Sequence, residues 1–149
     1  MRDWGNRPEA EDTMEKMSAA PKKKILIVDD ERDIVKALMI RLQANGYGVV
    51  SAFDGAQGIF MAHKENPDLI ILDIRMPAGD GFSVAERLRK SADTSQMPII
   101  FLTGSPESNS QQRAQDLGAR FYIKKPYDPE ELLDAVKRAL ETDAPDASV

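Results

Sequence analysis

The chain has 149 residues, 42% of them hydrophobic and 30% charged, which is typical of one soluble globular domain. Its formal net charge of −5 argues against direct binding of nucleic acid, and the lack of cysteine excludes a disulfide scaffold or a thiolate metal site. Apolar runs such as residues 25–28 and 69–72 are too short to span a bilayer, and the mixed-charge N-terminus does not resemble a signal peptide. These features predict a cytoplasmic protein with no membrane contact.

The two ends of the chain differ from the part between them. Residues 1–21 are rich in Glu, Asp, Ala and Pro with little apolar periodicity, and they predict a flexible leader, with a short helix over residues 10–17 as the alternative. Residues 143–149 are polar, contain proline and predict a tail. One folded domain is therefore expected over residues 22–142.

Strand-like and helix-like segments alternate within this domain. In chain order, the patterns predict a strand over 24–28, a helix from 30 or 31 to 45, a strand over 47–53, a helix over 54–66, a strand over 68–72, a helix over 80–91, a strand over 98–102, a helix over 106–117, a strand over 121–123 and a helix over 128–141. This alternation implies an α/β fold with a five-stranded parallel sheet, helices on both faces and right-handed crossovers. The third strand is the most apolar, so we place it centrally, in the order 2-1-3-4-5.

Polar residues follow four of the five predicted strands. They are residues 29–31 after the first strand, Asp73 after the third, Thr103 after the fourth and Lys125 after the fifth. Because parallel strands end at one edge of the sheet, where ligands bind, we expect these side chains to lie together. Neighbouring strands are about 4.8 Å apart, and the long side chain of Lys125 can reach Asp73 from two strands away.

The chemistry of these residues indicates phosphoryl transfer. The carboxylates of Asp29, Asp30 and Asp73 cannot all stay charged at this spacing without a positive partner, and oxygen ligands select a hard cation such as Mg²⁺. A cation, a lysine and a hydroxyl around one carboxylate suit transfer of a phosphoryl group to that carboxylate. Each feature alone has a plainer interpretation, as a helix cap or a turn. The prediction rests on their combination at four strand ends.

Residues 23–141 resemble the receiver domains of bacterial response regulators, the family that includes the chemotaxis protein CheY. The resemblance lies in four segments, KILIVDDE at 24–31, PDLIILDIRMPAGDG at 67–81, PIIFLTG at 98–104 and GARFYIKKPYD at 118–128. It implies a flavodoxin-like three-layer sandwich that is phosphorylated by a sensor histidine kinase or a phosphotransfer protein. It also implies a downstream protein or output domain as the second partner, and no enzymatic activity beyond the domain's own phosphorylation and dephosphorylation.

The resemblance further implies which residues hold the metal ion. Asp73 would be the phosphoacceptor and, with Asp30, would bind Mg²⁺ directly. Asp29 would lie nearby or bind through water, and the backbone carbonyl of Arg75 would add a ligand. No other cofactor is expected.

The remaining implied roles concern the response to phosphorylation. Thr103 would hold the phosphoryl oxygens in the active state, and Lys125 would pair with Asp73 and then with the phosphoryl group. Tyr122 matches the switch aromatic of the family. The bond between Lys125 and Pro126 would be cis, and Pro77 and Gly81 would belong to the loop that shapes the pocket.

The fourth predicted helix is unusually polar, with only Ala114 and Leu117 as apolar anchors. It is either an ordinary solvated helix or a marginally stable one that shifts on phosphorylation. Together with the fifth strand and fifth helix, it forms the expected signalling surface. Two departures from the usual family pattern are Phe121, where an acidic residue is frequent, and the bulky cationic Arg75, two residues after the acceptor.

Three other functions are considered. A haloacid-dehalogenase-like phosphatase needs a second aspartate two residues after the nucleophile, where this chain has Arg75. A nucleotide- or flavin-binding protein needs glycines after the first strand, where residues 29–31 are acidic. A pseudo-receiver that only binds proteins is the remaining alternative to phosphorylation. Whether the domain acts alone or as part of a longer regulator stays open.

Overall fold

Five strands and five helices alternate through the residues that the computed structural model describes, which are 22–76, 80–104 and 110–141. The strands are β1 (Lys24–Val28), β2 (Gly48–Ala52), β3 (Leu69–Asp73), β4 (Ile99–Thr103) and β5 (Phe121–Lys124). The helices are α1 (Arg32–Ala44), α2 (Gly55–Glu65), α3 (Gly81–Lys90), α4 (Ser110–Asp116) and α5 (Pro129–Glu141). The predicted leader, its alternative helix over 10–17, the predicted tail and the loop residue Pro77 lie outside the described residues.

The strands form one parallel sheet in the order β2-β1-β3-β4-β5, which confirms the predicted topology. Every residue of β3 and β4 is buried. Strands that are covered on both faces read as continuous apolar runs rather than as an alternation of apolar and polar residues. This burial explains why the two central strands were recognisable from their composition.

The core consists of two apolar clusters, one on each face of the sheet. Successive residues of β3 alternate between them, with Ile70 and Leu72 in one and Leu69 and Ile71 in the other. Residues of α2, α3 and α4 complete the first cluster, and residues of α1 and α5 complete the second. The three-layer arrangement is therefore confirmed, and each fully buried aliphatic side chain contributes about 1.5–3 kcal/mol to it.

Some element ends differ from the predicted ones in a way that matters for the site. The strands β3 and β4 run one residue further than predicted, so that Asp73 is paired with Leu102 and Thr103 with Lys124. Both polar residues are therefore the last paired residues of their strands at the carboxyl edge of the sheet. Their backbones are thus held by the sheet and not by a turn.

Helix α4 is described from Ser110 to Asp116, and the preceding part of the predicted helix lies outside the described residues. Ala114 is buried and Leu117 packs against the core, as predicted. Ser110 is also buried, although it stands in a polar run of the sequence. The helix is thus anchored at both of its ends.

Gly81 brings the start of α3 directly onto the chain that follows β3. Its N–H donates a 2.7 Å hydrogen bond to the carbonyl of Ile74, and a Cβ at this position would lie 2.9 Å from Ile74 Cα and in steric conflict with the carbonyl oxygen of Asp73. Asp80 then caps the helix by accepting a hydrogen bond from Ser83 N–H at 2.8 Å. The absence of a side chain at Gly81 therefore helps to position Asp73.

We expect Gly81→Ala to lower the free energy of unfolding by about 2 kcal/mol, because the added methyl group meets backbone atoms that are fixed by the sheet. Gly104→Ala is the matched control, since a Cβ at that position meets no heavy atom of the described residues within 4 Å. Urea unfolding curves measure both effects. Similar midpoints for the two variants would contradict the close packing at Gly81.

Candidate functional site

Three carboxylates meet at the carboxyl edge of the sheet. Asp73 ends β3 and Asp29 follows β1, and both are buried, whereas Asp30 is partly exposed. One oxygen from each carboxylate lies within 4.8 Å of the others. Asp29 also accepts a 3.0 Å hydrogen bond from the N–H of Glu31. Within the described residues, the carboxylate of Asp30 has no hydrogen-bond or ion-pair partner. The structure thus brings the three predicted aspartates together, and the oxygens of Asp30 are available to bind a ligand.

The negative charge of the acidic cluster is only partly neutralised by neighbouring groups. Burial raises the pKa of Asp73 to about 6, and the charge of Asp29 adds to the rise. Lys125 and the N–H of Arg75, which lies 3.4 Å from Asp73 Oδ1, act in the opposite direction without cancelling it. A hard cation held by these oxygens would relieve the repulsion. The residues present therefore fit Mg²⁺ by their donor chemistry, their spacing and their charge.

Lys125 is the positive group that faces this cluster, and its side chain is only 11% exposed. Its Nζ lies 2.9 Å from Asp29 Oδ2, 3.0 Å from Glu31 Oε1 and 3.6 Å from Asp73 Oδ2. Burial by itself would lower the pKa of Lys125, but the hydrogen bonds to Asp29 and Glu31 and the charges of the aspartates raise it overall. The lysine therefore remains protonated. Its shortest contacts are with Asp29 and Glu31 and not with Asp73, the partner that the resemblance implied.

The backbone around Lys125 links β5 to β4. The peptide bond between Lys125 and Pro126 is cis, as the resemblance implied. The N–H of Lys125 donates a 2.6 Å hydrogen bond to the carbonyl of Thr103. Thr103 itself is buried at the end of β4, on the strand beside Asp73. The predicted hydroxyl and the predicted lysine are thus connected through the main chain at this edge.

Tyr122 lies on β5, partly buried against the cluster that includes α4. Its hydroxyl forms a hydrogen bond with the hydroxyl of Ser110 in the first turn of that helix. The predicted switch residue is therefore joined to the helix whose polar sequence suggested mobility. Arg75 has an exposed side chain, and metal binding by its carbonyl stays a prediction.

Sequence reasoning placed Glu31 at this edge among residues 29–31 but gave it no role, and it missed Ser110. Glu31 directly follows the aspartate pair, at the same edge of the sheet, and that position was the available signal. Ser110 lies four residues before Ala114, on the same face of the helix, which could have marked it as inward-facing. Neither position is distinguishable by composition, because both residues belong to polar runs.

The chain matches the family model described as response regulator receiver domain over residues 25–137. The chain belongs to this family. The receiver domain is 43% identical over 119 residues to the probable transcriptional regulator ycf27 of Guillardia theta, covering 80% of this chain and 46% of the relative. It is 39% identical over 117 residues to the DNA-binding dual master transcriptional regulator RpaA of a Synechocystis species, covering 78% of this chain and 48% of the relative. The solved structure of Vibrio cholerae chemotaxis protein CheY4 at low pH is also similar, with a TM-score of 0.76 at 33% identity, covering 80% of this chain and all of that one.

These similarities confirm the interpretation of the four sequence segments and of the fold. The protein contains a receiver domain of two-component systems, and its relatives are named as regulators rather than as enzymes. The chain spans about half the length of the curated relatives it matches. Among the described helices, none combines the length and apolar composition needed to cross a membrane.

We expect Asp73→Asn to stabilise the metal-free protein by about 1–3 kcal/mol at pH 8. The raised pKa of Asp73 means that folding disfavours its ionised form, so the contribution of Asp73 to wild-type stability falls as the pH rises from the ordinary aspartate range through about 6. The gain should vanish near pH 4, where the carboxyl is protonated in the folded protein. Urea unfolding at the two pH values measures it, and an equal gain at both would contradict this origin.

Proposed function

We propose that Asp73 accepts a phosphoryl group in a reaction that depends on Mg²⁺, and that the receiver domain signals by a resulting change of shape. The observation that carries the proposal is the position of Asp73, buried at the centre of the carboxyl edge. It shares that edge with Asp29 and Asp30 on one side and has the ammonium group of Lys125 3.6 Å away. A nucleophile, a cation site and a fixed positive charge are the parts that phosphoryl transfer requires.

In the proposed reaction, a carboxylate oxygen of Asp73 attacks the phosphorus of a phosphohistidine on the donor protein. The new O–P bond forms as the P–N bond breaks, and the imidazole leaves with the bonding electron pair and takes up a proton. Bound Mg²⁺ would supply charge neutralisation for the phosphoryl oxygens. Lys125 then pairs with the transferred group, and the hydroxyl of Thr103 donates a hydrogen bond to it.

We propose Asp30 and Asp73 as direct ligands of the metal ion, with Asp29 nearby or bound through water and the carbonyl of Arg75 as a further ligand. The unpartnered carboxylate of Asp30 supports this assignment, since its oxygens are available within the described site. Lys125 engages Asp29, which supports the more distant role of that aspartate. The receiver catalyses only its own phosphorylation and dephosphorylation in this proposal.

The signalling surface in this proposal is the face formed by α4, β5 and α5. A swing from 1:99 to 99:1 between two states needs about 5.5 kcal/mol of differential binding, whereas a charge-assisted hydrogen bond from Thr103 contributes about 1.5–3 kcal/mol. Contact of the phosphoryl group with Lys125 and further burial of Tyr122 supply the difference. The hydrogen bond between Tyr122 and Ser110 supports a coupling of that ring to α4.

The proposed partners are a sensor histidine kinase or phosphotransfer protein as donor, and a downstream protein or output domain as recipient, in the cytoplasm. RpaA is named as DNA-binding, but only 48% of it is covered by this chain. We therefore propose that the receiver unit itself, residues 22–142, makes no direct contact with nucleic acid. A pseudo-receiver would bind its partners without phosphorylation.

Incubation with Mg²⁺ and acetyl phosphate is expected to add one phosphoryl group to the wild type and none to Asp73→Asn. Asp30→Ala should fold normally but lose both Mg²⁺ affinity and labelling, because it removes a metal ligand. Asp134→Asn is the control, since Asp134 is exposed on α5 and remote from the carboxyl edge. Mass spectrometry of the intact protein decides the question. Undiminished labelling of Asp73→Asn would refute the acceptor, and an unlabelled wild type would favour the pseudo-receiver.

Thr103→Ala should still accept a phosphoryl group on Asp73 but should switch poorly, because it lacks the hydroxyl that would donate a hydrogen bond to the phosphoryl oxygens. Hydrogen exchange with and without beryllofluoride measures this: the wild type should gain protection mainly in α4, β5 and α5. Thr94→Ala is a matched control, because Thr94 is an equally buried threonine whose hydroxyl, among the residues that the structure describes, bonds to the carbonyls of Leu88 and Ser91 and not to the site. A full response of Thr103→Ala would contradict the proposed switch, and changes confined to α1 and α2 would contradict the surface.

A further inference from the structure

Lys125 divides its contacts unequally among three carboxylates. Its Nζ lies at hydrogen-bond distance from Asp29 and Glu31, at 2.9 and 3.0 Å, but 3.6 Å from the carboxylate of Asp73. Asp29 is buried, whereas the side chain of Glu31 is 56% exposed. The ammonium group is therefore held towards the outer side of the cluster by a residue to which neither the family resemblance nor the acidic cluster assigns a role.

The backbone position of Glu31 makes this contact unusual. Glu31 is the N-cap residue of α1, with φ −86° and ψ 96°, yet its side chain makes no capping hydrogen bond. By contrast, Asp54 and Asp80 cap α2 and α3 through their carboxylates. A short polar cap stabilises the start of a helix, and α1 lacks such a side-chain cap. The longer side chain of Glu31 instead accepts a hydrogen bond from Lys125 Nζ, at 3.0 Å.

We propose that Glu31 is a positioning residue that holds Lys125 away from Asp73 until a phosphoryl group arrives, and thereby weakens the binding of that group. The inference rests on the proposed function. A phosphoryl group carries about −1.5 to −2 charges and must compete with Glu31 for the single ammonium group. The carboxylate of Glu31 also repels the incoming charge. Removing this carboxylate should therefore favour the phosphorylated arrangement.

Glu31→Gln tests the proposal, because it removes the charge and keeps the shape. Asp33→Asn is the matched control: Asp33 is exposed in the first turn of the same helix and, within the described residues, has no contact with Lys125. At saturating Mg²⁺, we expect beryllofluoride to bind Glu31→Gln about three- to fivefold more tightly than wild type, the upper part of the range for an exposed ion pair, because Lys125 is mostly buried. Asp33→Asn should stay within about twofold of wild type by the same scale.

A second measurement examines the lysine directly in the metal-free protein. The NMR resonances of the Lys125 side chain should shift in Glu31→Gln and stay in place in Asp33→Asn. Unchanged resonances in Glu31→Gln, unchanged beryllofluoride affinity, or equal tightening in both variants would overturn the proposal. Failure of the wild type to bind beryllofluoride would contradict the proposed function, while the metal-free spectra would still test the contact between Glu31 and Lys125.

Discussion

The ammonium group of Lys125 and the carboxylates that surround it are the interaction on which the site depends. Central burial of β3 removes Asp73 from water, and the adjacent strand places Asp29 beside it. Repulsion between these charges is strong in such a setting, and Lys125 offsets only part of it. The fold therefore maintains an electrostatic imbalance at one edge, and this imbalance supports the proposed binding of a cation there.

The rest of the sheet stabilises the molecule against this imbalance. The two apolar clusters hold β3 and β4 from both faces, so that the strand ends stay in place although their polar side chains repel one another. Gly81 contributes from outside the sheet, since its hydrogen bond to Ile74 fixes the chain just after Asp73. Local instability at a functional site is offset by packing elsewhere, as is common in proteins.

A continuous set of contacts leads from the acidic cluster to α4. Lys125, directly after β5, contacts the carboxylates through its side chain and Thr103 through its backbone. Within β5, Tyr122 forms a hydrogen bond with Ser110 of α4. Ser110 is buried and Tyr122 is partly buried, so this hydrogen bond lies between the strand and the helix and not on the open surface. These contacts support the proposed coupling between the site and α4.

The sequence by itself determined the order of the elements, the central place of β3 and the polar residues that meet at the carboxyl edge. Periodicity and unbroken apolar runs such as residues 69–72 are local properties, and the rules for parallel sheets convert them into a topology. Asp29, Asp30 and Asp73 were identified as neighbours in this way, and the structure places them together.

Only the tertiary structure decided which of these neighbours touch. The partners of Lys125, the burial of Ser110 and the uncapped start of α1 depend on sheet twist, side-chain rotamers and the distances between strands. A difference of less than an ångström separates the contacts of Lys125 with Glu31 and with Asp73. Residue type and spacing along the chain carry no information at that scale, because such distances result from the packing of segments far apart in sequence.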